Sequence, residues 1–75
     1  MSVSPALLLK ENCVPCQRVL EFVSKNNLNV AIQFVDGDEV LLSKFDRFPV
    51  LFVPGLKTIV GDEGIIRWLE EHYLQ

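Results

Sequence analysis

Both cysteines of this chain lie in the segment Cys13-Val14-Pro15-Cys16, between the apolar run Ala6-Leu7-Leu8-Leu9 and a stretch of helical periodicity. A buried strand that gives way to a helix with two thiols in its first turn leaves few folds open. The first sulfur must stand at the helix start and the second one turn further in, which is the arrangement reversible disulfide chemistry needs. The pair is a poor structural staple, because a bridge across so short a segment closes almost no loop and gains little chain entropy. Stability must therefore come from packing, and 75 residues lie near the lower limit for a self-supporting core. An apolar content of 49%, with five Phe, one Trp and one Tyr, is enough for one compact domain, 1–75, and argues against disorder.

The formal charge is -3, with acidic residues spread along the chain and no basic cluster. Binding to nucleic acid through phosphate neutralisation is disfavoured. No apolar run approaches the roughly 18 residues of a membrane span. The N-terminus lacks the basic and apolar regions of a signal peptide, so no membrane association and a reducing, cytoplasmic compartment are expected.

Ala6–Leu9 reads as a short strand buried on both faces, followed by a polar break at Lys10-Glu11-Asn12. From Pro15 to Lys25, Cys16, Val19, Leu20, Phe22 and Val23 recur at helical spacing, opposite Gln17, Arg18, Glu21, Ser24 and Lys25. Pro15 suits the first turn, where its missing N–H loses no helical bond. Asn26-Asn27 predicts a left-handed stop, with Leu28 available for a capping contact.

Val30–Val35 predicts the second strand, Asp36-Gly37-Asp38 a turn, and Glu39–Phe45 a short helix packed through Val40, Leu41 and Phe45. Strand, helix, strand in that order implies parallel first and second strands. Phe48–Val53 is the densest apolar run and predicts a central buried strand. Pro54-Gly55 breaks it, and Lys57–Val60 returns as a hairpin partner. A final helix opens at Gly61-Asp62 with Asp62 as N-cap, Glu63 in its first turn, Ile65, Ile66, Leu69 and Tyr73 inward, and Trp68 flanking. The order is β-α-β-α-β-β-α, with helices available for both sheet faces.

Unpaired N–H groups and the positive dipole end at a helix start favour a thiolate. Cys13 is therefore the expected nucleophile, with a lowered pKa, and the more buried Cys16 the second thiol. Cys13 would attack a substrate disulfide, and Cys16 would then attack Cys13 and release the reduced substrate. Lys10 is near enough in sequence to add favourable positive charge. No metal is expected: tetrahedral zinc needs four ligands, and His72, at the far end of the chain, is the only other soft candidate. A dimer could still gather four sulfurs, so a non-catalytic interaction or metal-binding module stays open. His72 itself reads as a surface or helix-end residue.

Phe48-Pro49-Val50 is the second informative segment. It reads either as a proline starting an apolar strand or as a cis Phe48–Pro49 bond. The cis form would turn the Phe48 backbone toward an extended peptide beside the dithiol and keep a backbone N–H from competing for the sulfurs.

With Cys13, Pro49 and Gly61 in place, almost the whole chain resembles small glutaredoxins of the thioredoxin-fold superfamily. The run Lys10-Glu11-Asn12-Cys13-Val14-Pro15-Cys16 is similar to the family's active-site run, including a lysine shortly before the nucleophile. Phe48-Pro49-Val50 falls where glutaredoxins carry a cis proline, and Val60-Gly61-Asp62 where their glycine-aspartate segment begins the last helix. The resemblance implies an α/β, thioredoxin-like fold with a four-stranded mixed sheet flanked by three helices, and a cis Phe48–Pro49 bond.

It also implies no tightly bound cofactor and glutathione as cosubstrate. Lys10 would meet the glycyl carboxylate, Phe48 at the Pro49 turn would offer its backbone to the cysteinyl part, and Gly61 with Asp62 would hold the γ-glutamyl end. Disulfide-containing proteins would engage an apolar groove near Val14, Phe48 and the Lys57–Val60 hairpin, and the protein would be a monomer. Three departures bear on the reductant. Val14-Pro15 replaces the family's usual Pro-Tyr, Phe48 replaces its common Thr or Val, and Val60 fills one position of its paired glycines. Reduction by thioredoxin reductase, as in electron donors to ribonucleotide reductase within this superfamily, is the alternative.

Overall fold

The first strand, β1 (Ala6–Leu9), is paired along both edges: in parallel with β2 (Ala31–Phe34) and antiparallel with β3 (Val50–Val53). β4 (Lys57–Val60) adds to the other edge of β3 as an antiparallel hairpin, so the order across the sheet is β2-β1-β3-β4. α1 (Val14–Lys25) connects β1 to β2, α2 (Glu39–Lys44) connects β2 to β3, and α3 (Asp62–Tyr73) follows β4. This is the expected thioredoxin-like fold, a four-stranded mixed sheet with three helices in the order β-α-β-α-β-β-α. The computed structural model describes residues 5–74; residues 1–4 and 75, which the expected 1–75 domain includes, lie outside the described residues.

Alternation along the strands sends successive side chains to opposite faces. Leu7, Leu9, Leu51 and Val53 meet Cys16, Val19 and Val23 of α1 and Ile65 and Leu69 of α3 in the main buried cluster. Full burial of each such aliphatic side chain contributes about 1.5–3 kcal/mol, which is how so short a chain holds together. Leu8, Val50 and Val35 form a smaller cluster on the other face, flanked by Leu41, Leu42 and Phe45.

The faces are unequally covered. Two twelve-residue helices lie on the first, but only the six-residue α2 on the second. Phe52, which its register turns toward the second face, is therefore 46% exposed, and the expected fully buried strand is buried at Val50, Leu51 and Val53 only.

Local chemistry sets the helix ends. α1 stops as Asn26-Asn27 predicts: Asn27 is left-handed at φ 54, and Leu28 N–H and Asn27 N–H donate to Val23 and Ser24 carbonyls at 3.0 and 3.3 Å. That is a Schellman stop, with Leu28 packed on the core cluster. α2 starts at Asp38, whose Oδ1 accepts the Leu41 N–H at 3.1 Å.

Four expectations are corrected. β2 is confined to Ala31–Phe34, and all four of its residues are exposed because it is an edge strand with no helix over it. β3 begins at Val50, since Pro49 has no N–H to give the ladder. Val40 is 73% exposed, and Leu42 takes its place against the second face. Asp62 is the first residue of α3; the N-cap is Gly61, at φ 103, and no side chain caps the helix.

Candidate active site

The β1–α1 turn is pinned before it reaches the cysteines. Glu11 N–H donates to Asp36 Oδ2 at 2.9 Å, tying this loop to the one after β2. Asn12 adopts φ 55, a left-handed conformation that Asn tolerates better than most residues. The chain then enters α1 with Cys13 as N-cap, its backbone extended and its Sγ accepting the Cys16 N–H at 3.3 Å. Cysteine thus takes the place that a serine or aspartate oxygen ordinarily fills.

Cys13 and Cys16 are joined as a disulfide, with Cα atoms 5.2 Å apart. Their surroundings differ. Cys16 is 2% exposed and belongs to the main core cluster, whereas Cys13 is partly buried at its rim. An accessible sulfur at a helix start, bonded to a buried one a turn later, supports reversible dithiol–disulfide chemistry and is consistent with thiol–disulfide oxidoreductase activity.

Phe48 lies against this pair. Its carbonyl oxygen is 3.9 Å from Cys13 Sγ, and the Phe48–Pro49 peptide bond is cis. The Phe48 ring touches both hydrophobic clusters and meets Phe45 edge-on at 6.3 Å. Lys10 Nζ stands 5.8 Å from the centre of the same ring, a cation–π approach that brings positive charge to the site's border. Pro49 is buried, and its carbonyl accepts the Gly61 N–H at 3.0 Å, docking the start of α3 onto the cis turn.

Of the expected site residues, Lys10, Cys13, Cys16 and Phe48 meet directly, and Pro49, Gly61 and Asp62 join them through the Pro49–Gly61 hydrogen bond. Val14 points into solvent at 64% exposure, and Val60, just before Gly61, is 46% exposed. Sequence reading missed Arg18. Placed there on the polar side of α1, it reaches Asp62, with Arg18 Nη1 3.5 Å from Asp62 Oδ2. The two residues are 44 apart, and no local pattern pairs them.

His72 lies outside this assembly. Its ring stacks on Trp68 at 4.0 Å, and Nδ1 is 2.9 Å from the Trp68 carbonyl one helical turn back. The neighbouring Tyr73 hydroxyl donates to the Asn29 carbonyl at 3.4 Å, and burial pushes its pKa above the ordinary tyrosine value. Among the described residues, no group of three or more His, Cys, Asp or Glu side chains is placed to hold a metal ion. No described helix is long and apolar enough to cross a membrane.

Two solved structures share this architecture. One is human glutathione transferase theta-2 in complex with glutathione and an unknown ligand: TM-score 0.80, 20% identity, 96% of this chain and 32% of that chain covered. The other is a glutathione S-transferase from the Antarctic clam Laternula elliptica: TM-score 0.77, 17% identity, 97% of this chain and 36% of that chain covered. The chain thus spans about a third of the length of either, and likeness at these identities is one of fold. No family model matches the chain, and no curated protein matches it.

Proposed function

We propose that this chain is a glutaredoxin-like dithiol–disulfide oxidoreductase that reduces protein or low-molecular-weight disulfides through Cys13 and Cys16, with glutathione as reductant. The observation that carries this reading is the inequality of the two sulfurs. Cys13 Sγ is the helix cap, receives the Cys16 N–H at 3.3 Å and borders solvent, whereas Cys16 is 2% exposed.

In the reduced protein, that N–H and the positive end of α1 favour charge on Cys13, which makes it the attacking sulfur. Its thiolate forms a bond to one sulfur of the substrate disulfide; the substrate S–S bond breaks, and the departing sulfur takes a proton from solvent. Cys16 then loses its proton and attacks Cys13 Sγ, so the second substrate sulfur leaves and is protonated. The substrate has gained two electrons and two protons, and the protein holds the Cys13–Cys16 disulfide. Two glutathione thiols reverse that bond and leave as one glutathione disulfide.

Lys10 meets the glycyl carboxylate in this reading, Phe48 offers its backbone beside Pro49 to the cysteinyl part, and Gly61 with Asp62 holds the γ-glutamyl end. The structural neighbour crystallised with glutathione lends this choice fold-level support only. Disulfide-containing proteins would lie along Val14, Phe48 and the β3–β4 hairpin, ribonucleotide reductase being one such partner. The protein would act as a cytoplasmic monomer.

A second reading rests on Val60. Its side chain, 46% exposed just before Gly61, would crowd a glutamyl group held by Gly61 and Asp62, which would favour thioredoxin reductase as electron source. Stopped-flow reduction of the oxidised protein by the two reductants, side by side, decides between them. Rapid reduction by glutathione, slowed in Lys10→Ala, is expected; failure with glutathione alongside rapid reduction by thioredoxin reductase reverses the assignment. A non-catalytic module would show no insulin-disulfide reduction dependent on Cys13.

A further inference from the structure

The ladder between β1 and β2 runs on past the ends of the two strands. Val35 N–H donates to the Leu9 carbonyl at 2.9 Å, and the next residue, Asp36, adds a further rung through its side chain, Oδ2 accepting the Glu11 N–H at 2.9 Å. Asp36 and Glu11 are both exposed, and 25 positions separate them. A lone rung at the surface adds little to folding, because water competes for both partners.

Its place in the chain gives it another use. Lys10-Glu11-Asn12 is all that joins the end of β1 to Cys13. Asn12 is left-handed at φ 55, a backbone shape that persists at a non-glycine residue only where its surroundings hold it. Among the described residues, the Glu11–Asp36 bond is the one hydrogen bond that ties residues 10–12 to a distant part of the chain. Two residues after Glu11, Cys13 Sγ accepts the Cys16 N–H at 3.3 Å, a cap geometry set by the angle at which this loop enters α1. We infer that Asp36 is a positioning residue for the Cys13 sulfur: by holding the Glu11 N–H it fixes the β1–α1 loop, and the loop delivers Cys13 Sγ to the start of α1. This rests on the reading of Cys13 as the attacking sulfur, and adds to it a residue outside the dithiol segment that keeps the sulfur in place.

Position and charge act in opposite directions, which makes the role separable. As a negative charge on the loop tied to this one, Asp36 would oppose a thiolate on Cys13. As an acceptor it favours that thiolate, because a sulfur held at the cap gains the Cys16 N–H and the positive helix end. Water and salt screen an exposed charge but not the geometry of a loop, so position prevails. An asparagine at this place would keep an acceptor oxygen and remove the charge. The same turn supplies a control: Asp38 Oδ1 accepts the Leu41 N–H at 3.1 Å and caps α2, so its loss loosens Asp36-Gly37-Asp38 without removing the Glu11 rung.

The test follows alkylation of Cys13 by iodoacetamide in the reduced protein, together with melting temperature, for wild type, Asp36→Ala, Asp36→Asn and Asp38→Ala. Asp36→Ala is expected to slow Cys13 about fivefold at neutral pH, the scale of one hydrogen bond, and to move its midpoint to higher pH. Asp36→Asn should recover most of the rate. Asp38→Ala should lower the melting temperature and leave the Cys13 midpoint at its wild-type value. An unchanged or faster Cys13 in Asp36→Ala overturns the positioning role. So does Asp36→Asn as slow as Asp36→Ala, or an equal slowing in Asp38→Ala; in each case a low wild-type midpoint leaves Cys13 standing as the attacking sulfur. A wild-type Cys13 that reacts no faster than Cys16, at the ordinary thiol midpoint, overturns both.

Discussion

α1 starts at a cysteine whose sulfur takes the N–H of Cys16 at 3.3 Å, whereas α3 starts at Gly61, which holds φ 103 and offers its helix no side chain. Both starts converge on Phe48 and Pro49, α1 through the 3.9 Å approach of Cys13 Sγ and α3 through the 3.0 Å bond of Gly61 N–H. At α1, the capping atom is itself a sulfur of the Cys13–Cys16 pair, so the stabilisation of the helix end acts directly on that sulfur. At α3, the backbone of the cap is used for docking, and charge comes from Asp62 and Glu63 in the first turn. One helix start carries the redox-active sulfur pair, the reacting start of the reading above, and the other, the positioning start, docks on Pro49 through its backbone.

Removing the sulfur from the reacting start should have the largest effect. Cys13→Ser is expected to bring insulin-disulfide reduction to background, while Cys16→Ser should still make the first attack and accumulate a mixed disulfide detectable by mass spectrometry. Next comes the frame that holds both starts in place. Leu51→Ala or Ile65→Ala, each at 0% exposure, should lower stability by about 2–5 kcal/mol in urea titration. Phe52→Ala on the thinly covered face should cost clearly less, because Phe52 is 46% exposed.

At the positioning start, Gly61→Ala should cost about 1–3 kcal/mol in the same titration, from its φ of 103 alone, since a Cβ there would meet nothing within 4 Å. The smallest effect concerns the far end of α3. The Tyr73 pKa is raised by burial, so its stability contribution is complete below about pH 10, the unfolded value, and is lost as pH rises through the higher folded value. Tyr73→Phe should flatten the alkaline fall in melting temperature and leave it unchanged near neutrality.

The contrast between the two starts was only half legible in the sequence. Cys13 and Cys16 lie within one helical turn, and the apolar spacing of Cys16, Val19 and Val23 already turns one sulfur inward. Ala6–Leu9, Lys57–Val60 and the Asn27 stop were equally readable because each rests on neighbouring residues. At α3, local propensity favours Asp62 as the cap, but the bond from Gly61 N–H to Pro49 O, made across the fold, shifts the start back one residue. Arg18 was hidden for the same reason, since its partner lies on another helix 44 residues away. Phe52 follows the apolar pattern of a buried strand, and only the shortness of α2 leaves it exposed.

The central claim is that Cys13, as the cap of α1, is the activated sulfur. The most direct test is alkylation of the fully reduced protein by iodoacetamide over a range of pH, with each cysteine followed by peptide mass spectrometry. Cys13 should be modified first, with a midpoint below the value of about 8.5 usual for a free cysteine, while Cys16 stays protected. Equal modification of both cysteines at that ordinary value, or Cys16 reacting first, would contradict the account.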